Sequence, residues 1–211
     1  MAISILQTTT HTLVNTNLAL VAGTNRYLVM VTGTATGSTQ YFNSITINGK
    51  SFTKIGDNTN TARVQWWGCV IPDAWGTSTV TITSSQTGST LRVDRIMLGG
   101  VDPDSPIRGM DQGGSRSRSS TSNSRTINIH KDGIGIDVIS LANASYEPNA
   151  GAGQSVFYRA SARSSSRKTV ASTGNTTMSW TFGGSRNAAC AVSLEPYIPP
   201  PPVGSHIRWF I

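Results

Sequence analysis

The feature that most constrains this chain is a period-two alternation of apolar and polar residues that recurs along its length. In TSTVTITSS, Val80 and Ile82 fall on one side of an extended backbone and Thr79, Thr81 and Thr83 on the other, which is the pattern of a half-exposed antiparallel strand. RYLVMVTGT sets Tyr27, Val29 and Val31 against Leu28, Met30 and Thr32. Apolar groups on both faces predict a central or doubly covered strand. RVQWWGCVI alternates Val64, Trp66, Gly68 and Val70 against Gln65, Trp67, Cys69 and Ile71, and Pro72 stops it because proline cannot donate to a ladder. Asn48-Gly49 is a type I′ turn signal, and Ile45, Ile47, Phe52 and Ile55 are compatible with one buried hairpin face. Further strand-like runs fall at 91–101, 125–130, 134–141, 155–160, 178–182 and 188–194. About ten to twelve strands and no amphipathic helix predict an all-β, antiparallel two-sheet β-sandwich, jelly-roll-like, with no repeat of fixed period visible.

Composition agrees. Only 13% of the 211 residues are charged, about half the usual ~25%, which argues against a coiled coil or a charge-driven disordered chain. No run approaches the ~18 apolar residues of a membrane-spanning helix. Ser and Thr supply about a quarter of the chain, suiting the solvent faces of strands, and 21 Gly suit tight turns. The length fits one domain over residues 1–197 that needs no disulfide or metal to hold it. Cys69 and Cys190 lack zinc-type spacing and read as buried small hydrophobes. MAISILQTTT has neither a basic n-region nor a long apolar stretch, so no secretory signal peptide is expected and synthesis in a host cytoplasm is the simple reading.

The net charge of +7 comes from 13 Arg and 4 Lys against 10 acidic residues, and it clusters from Arg108 to Arg125, containing GGSRSRSSTSNSR, and from Arg159 to Lys168, containing RASARSSSRK. Arginine clusters can bind nucleic acid through phosphates. These segments lack interleaved aromatics for base stacking, so nucleic acid is not the expected partner. They read instead as solvated loops that steer toward an acidic protein surface. Residues 198–211 differ from the rest. Four prolines at 199–202 form a stiff spacer of roughly 12 Å, followed by a tail with Ile207, Arg208, Trp209, Phe210 and Ile211. Such a tail reads as docking into a neighbouring subunit or a partner groove, with packing on its own domain as the alternative.

Chemistry-bearing residues are sparse. His11, His130 and His206 match no metal-ligand or nucleophile spacing, and Asp102 and Asp104 in VDPDSPI read as a capped turn more readily than a calcium site. No catalytic residue, cofactor or metal is expected. Alternation puts Trp66 and Trp67 on opposite faces, so Trp66 reads as core and Trp67 as core, subunit contact or glycan platform. Trp75 is a second platform candidate.

Residues 44–85 carry a resemblance. Gly49, Phe52, Thr53 and Gly56, then Val64, Trp66 and Trp67, then Pro72, Gly76, Thr79, Val80 and Ile82 follow the order of a β-sandwich module of tailed-phage virion proteins and bacterial surface proteins. LGGVDPDSPI, IGIDVISLA, TMSW and AACAVSLEP extend it to about residue 197. The resemblance implies a non-enzymatic virion structural protein, most readily a capsid decoration or cement protein that bridges capsid subunits. Its partners would be the major capsid protein or other virion proteins, with many copies or a homo-oligomer on a lattice and no membrane. A tail-tube, collar or fibre component is a variant of this reading. A glycan-binding or adhesion module on a phage tail, fibre or cell surface is the alternative. The expected partner contacts are Ile207, Arg208, Trp209, Phe210, Ile211, Arg116, Arg118, Arg125 and Trp67.

Overall fold

A computed structural model describes residues 1–11, 16–34, 41–59, 62–87, 93–143 and 145–200. Among them the chain is all-β, with seventeen strands and a single turn of 3-10 helix at Asp73–Trp75. No helix among the described residues is long and apolar enough to cross a membrane. The strands form four antiparallel sheets. In the N-terminal half, an inner sheet runs in the order β1 (Ser4–His11), β9 (Val93–Gly99), β3 (Arg26–Thr34), β7 (Arg63–Ile71), β6 (Thr53–Thr59). Its outer sheet runs β2 (Thr16–Ala19), β8 (Thr79–Thr87), β4 (Tyr41–Ile47), β5 (Lys50–Ser51). In the C-terminal half, the inner sheet runs β10 (Ile107–Ser115), β17 (Asn187–Leu194), β12 (Ile134–Leu141), β15 (Arg163–Lys168), β14 (Ser155–Ala160). The outer one runs β11 (Ser122–Ile129), β16 (Gly174–Thr181), β13 (Asn149–Ala150).

The alternation in β3 explains how the sheets stack. Leu28 and Met30 point to one side, where they meet Trp67, Cys69 and Met97 of the same sheet and Phe42, Ile45, Ile47, Val80 and Ile82 of the outer sheet. Tyr27, Val29 and Val31 point to the other side and, with Val64, Trp66, Ile96 and Leu98, pack on Ile134, Ile136, Val138, Cys190, Val192 and Leu194 of the opposite half. In that half Ile139, Leu141 and Ala189 pack under Trp180 and Phe182, while Ala191 packs under Ile127, Ile129 and Met178. The layer order is therefore outer, inner, inner, outer. Two sheets were expected and four are present, because β3 and β12 are apolar on both faces and each needs cover on both sides. The inner sheets approach closely at Gly56, where a Cβ would lie 2.6 Å from the Cys190 sulfur.

Strand order shows a repetition that the sequence hides. Reading across the inner sheets, β1, β9, β3, β7 and β6 occupy the places of β10, β17, β12, β15 and β14. In the outer sheets, β2, β8 and β4 occupy those of β11, β16 and β13. The halves share a path while their side chains have little in common, as RYLVMVTGT in β3 and IGIDVISL in β12 illustrate.

Local details follow from residue chemistry. Asn48 and Gly49 take φ of 46° and 80°, the left-handed pair that a type I′ turn demands, and Ile47 pairs with Lys50 across it. Ile45, Ile47 and Phe52 are buried together, but Ile55 lies on the opposite side of the inner sheet, because the chain leaves the outer sheet after Phe52. Pro72 follows the last residue of β7. The buried Arg26 guanidinium holds the turn beyond it, with Nη2 donating to the Pro72 carbonyl at 2.8 Å and Nη1 to the carbonyls of Val21 and Gly76.

Candidate attachment cleft

The two Arg/Ser runs are largely strand, contrary to the loops expected for them. Residues 163–168 form β15, an interior strand between β12 and β14, in which Ser164, Ser165 and Ser166 are fully buried. At two of these positions the serine hydroxyl satisfies a buried carboxylate. Ser165 Oγ donates to Asp94 at 2.7 Å, and Ser166 Oγ donates to Asp137 at 2.5 Å. Arg163 is buried, ion-pairs with Asp94 across the inner sheets and lies over the Tyr158 ring at 4.9 Å. Arg159 pairs with Glu147 at 3.5 Å at the surface.

Asp137 sits between the C-terminal sheets with no cation among its hydrogen-bond partners. Trp180 Nε1 donates to it at 2.7 Å and Gln154 Nε2 at 3.4 Å, in addition to Ser166. Burial pushes its carboxyl up to about 7, and those donors offset only part of the desolvation.

The first cluster divides. Arg108 pairs with Glu195 at 2.9 Å, and Arg125, in β11, lies 3.5 Å from Asp111 while its Nε donates to Asn123. Arg125 is thus spent on holding β11 to β10 and is not presented as the contact expected of it. Arg116 and Arg118 lie in the connection between those strands, at one end of the C-terminal half. There the connection faces two others, and the three enclose a cleft of about 340 Å³ lined by Arg118, Ala142, Asn143, Gly184, Ser185 and Arg186.

Hydrogen bonds tie the three connections together. Ser185 N donates to the Ser120 carbonyl at 2.9 Å, Ala142 N to the Arg186 carbonyl at 2.9 Å, and Asn143 N to Ser185 Oγ at 3.1 Å. Arg186 Nε donates to the Arg116 carbonyl at 3.1 Å, which anchors its guanidinium. No lining residue is acidic, and neither Arg118 nor Arg186 forms an ion pair among the described residues. The walls are fixed before any partner arrives, and the charge on them is uncompensated.

Trp67 does not belong to a surface. It is 4% exposed and packs between the N-terminal sheets, so it is core rather than a platform, and Trp66 is core in the adjacent layer. Trp75 is partly buried against the same N-terminal core. Cys69 and Cys190 are buried and unpaired, as expected, and lie in different layers. Asp102 Oδ1 accepts the Asp104 amide at 3.0 Å, the capped turn that the spacing suggested. Residues 207–211, the apolar tail, lie outside the described residues. Arg186 and Ser185 carried no signal of their own. An isolated Arg in GGSRN becomes part of a site only because β16 and β17 bring it beside residue 118.

Comparison with known proteins gives no family model, no curated protein and no solved structure that matches this chain.

Proposed function

We propose that this chain is a non-enzymatic structural protein of a tailed-phage virion, acting as a capsid decoration or cement protein that bridges capsid subunits. The observation that carries the reading is the contrast between scaffold and cleft. Four layers are cross-packed into apolar cores, while Arg118 and Arg186, which form no ion pair among the described residues, line a cleft between tied loops at one end. A rigid body that presents charge on loops is suited to holding a partner in place.

Fold detail gives a second support. With the strands of the N-terminal half lettered in sequence, β1-β9-β3-β7 and β2-β8-β4-β5 follow the two four-stranded sheets of a jelly roll, with β6 added at an edge. The C-terminal half follows the same strand order without a counterpart of β5. We read the chain as two jelly rolls stacked through their inner sheets. Jelly rolls recur in capsid and lectin domains, so this architecture admits both the decoration role and the glycan-binding alternative. Burial of Trp67 removes one of the two platforms on which the second reading leaned, Trp75 being the other.

In this account the tail at 207–211 supplies an apolar anchor, since Trp and Arg are prominent among residues that dominate interface energy. Docking adds stability to the head only through affinity for the assembled lattice. Removing residues 199–211 leaves a folded body that no longer co-sediments with capsids. Co-sedimentation unchanged by the deletion excludes the tail as the anchor.

A further inference from the structure

We infer that the cleft between Arg118 and Arg186 is a binding site for an oxyanion group, a carboxylate or a phosphate, carried on a larger acidic ligand. Three observations lead there. First, two arginines, Arg118 and Arg186, line one cleft in which no lining residue is acidic. The acidic groups of the neighbouring strands are engaged elsewhere, Asp111 with Arg125, Glu195 with Arg108 and Glu147 with Arg159. Like charges held together without a counter-charge repel one another, and an anion between them removes that repulsion.

Second, the geometry suits a forked contact. Arg186 lines the cleft and is anchored through Nε to the Arg116 carbonyl, a bond that does not use its Nη groups. Guanidinium groups held this way donate parallel hydrogen bonds to the two oxygens of one carboxylate or phosphate. Asn143 adds an amide to the same wall, with its Oδ1 committed to the Ser145 amide. That commitment turns the Nδ2 group into the donor available to a ligand.

Third, the walls are built. The hydrogen bonds that join Arg116 and Ser120, Ala142 and Asn143, and Ser185 and Arg186 hold three separate connections in one arrangement. Little ordering is then required on binding, which favours affinity. A cleft of about 340 Å³ exceeds what a bare ion fills, so the oxyanion is expected to arrive on a side chain or a sugar-sized group.

The cleft chemistry stands on the residues named here, and only the source of the anion rests on the virion reading. The test titrates the full chain with glutarate, and separately with inorganic phosphate, following the backbone amides of Asn143, Gly184, Ser185 and Arg186 by NMR. Saturable shifts confined to these amides are expected, weakened at least tenfold in an R118A/R186A double variant and unchanged in R159A, an arginine on β14 paired to Glu147. Saturation by glutarate alone assigns the carboxylate source and by phosphate alone the phosphoryl source. Shifts that do not saturate with either probe, or that persist in the double variant, overturn the inference. Retained melting temperature in the double variant shows that the loss is not unfolding. Capsid co-sedimentation of the same variants separates the two claims. Oxyanion binding without capsid binding defeats the virion reading alone, and capsid binding without oxyanion binding defeats the cleft alone.

Discussion

Asp137 gives a pH dependence whose sign and size follow from its surroundings. Its carboxyl is enclosed between the C-terminal sheets, with donors from Ser166, Trp180 and Gln154 and no neighbouring cation in hydrogen-bond reach. Burial raises its pKa from 3.8 to about 7 in the folded chain. In the unfolded chain it ionises near the ordinary value. The folded state therefore holds a proton that the unfolded state has released between about pH 4 and pH 7. Stability from this group is fully present below pH 4 and is lost as the pH rises through 7. About three pKa units at about 1.4 kcal/mol each give a loss of roughly 4 kcal/mol across that window. Asp137→Asn keeps the shape and cannot ionise. Urea unfolding of both proteins from pH 4 to pH 8 isolates the effect, because every other titrating group cancels in the difference. Wild-type stability minus variant stability should fall by about 4 kcal/mol over the range. A difference that stays flat, or that rises with pH, refutes the buried and unpaired carboxylate.

Other outcomes follow from the packing between the inner sheets. Gly56→Ala puts a methyl 2.6 Å from the Cys190 sulfur, where the neighbour must move, and should destabilise the chain by about 1–3 kcal/mol in chemical denaturation. Arg163→Ala leaves Asp94 buried without its cation and should lower stability by about 3–5 kcal/mol, whereas Arg159→Ala, at an exposed pair, should change it by less than about 1 kcal/mol. Burial pushes the Cys69 thiol up to about 11 and the Cys190 thiol up to about 12, so a thiol reagent should label neither in the native chain and both in denaturant. Rapid native labelling of either cysteine contradicts its placement in the core.

Much of the fold was legible wherever side chains were large and alternated. β3, β7, β8 and β12 were readable because their Val, Ile, Trp and Thr residues separate cleanly onto two faces, and the Asn48-Gly49 turn because few dipeptides accept two left-handed residues. β15 was not readable. Its buried positions are serines whose role depends on Asp94 and Asp137, far away in sequence, so a strand inside the fold looked like a polar loop. β10 was missed for a related reason: as an edge strand with Gly109, Gly113 and Gly114, it carries little apolar signal. The four-layer arrangement was implied by strands apolar on both faces, but the count of sheets required the pairings. Of the cleft, Arg118 could be named from charge density. Arg186 could not, since its membership follows from the turn between β16 and β17 rather than from any local pattern.

The central claim is that this chain is a virion component that decorates the head, and its location in purified particles tests that most directly. Particles banded on a density gradient, then separated into heads and tails and assayed by quantitative mass spectrometry, should contain the chain in the head fraction at a fixed ratio to the major capsid protein. Its absence from banded particles, with the chain recovered only as free protein from the lysate, contradicts the account. Recovery with tails alone moves the attachment site away from the head and overturns the decoration role.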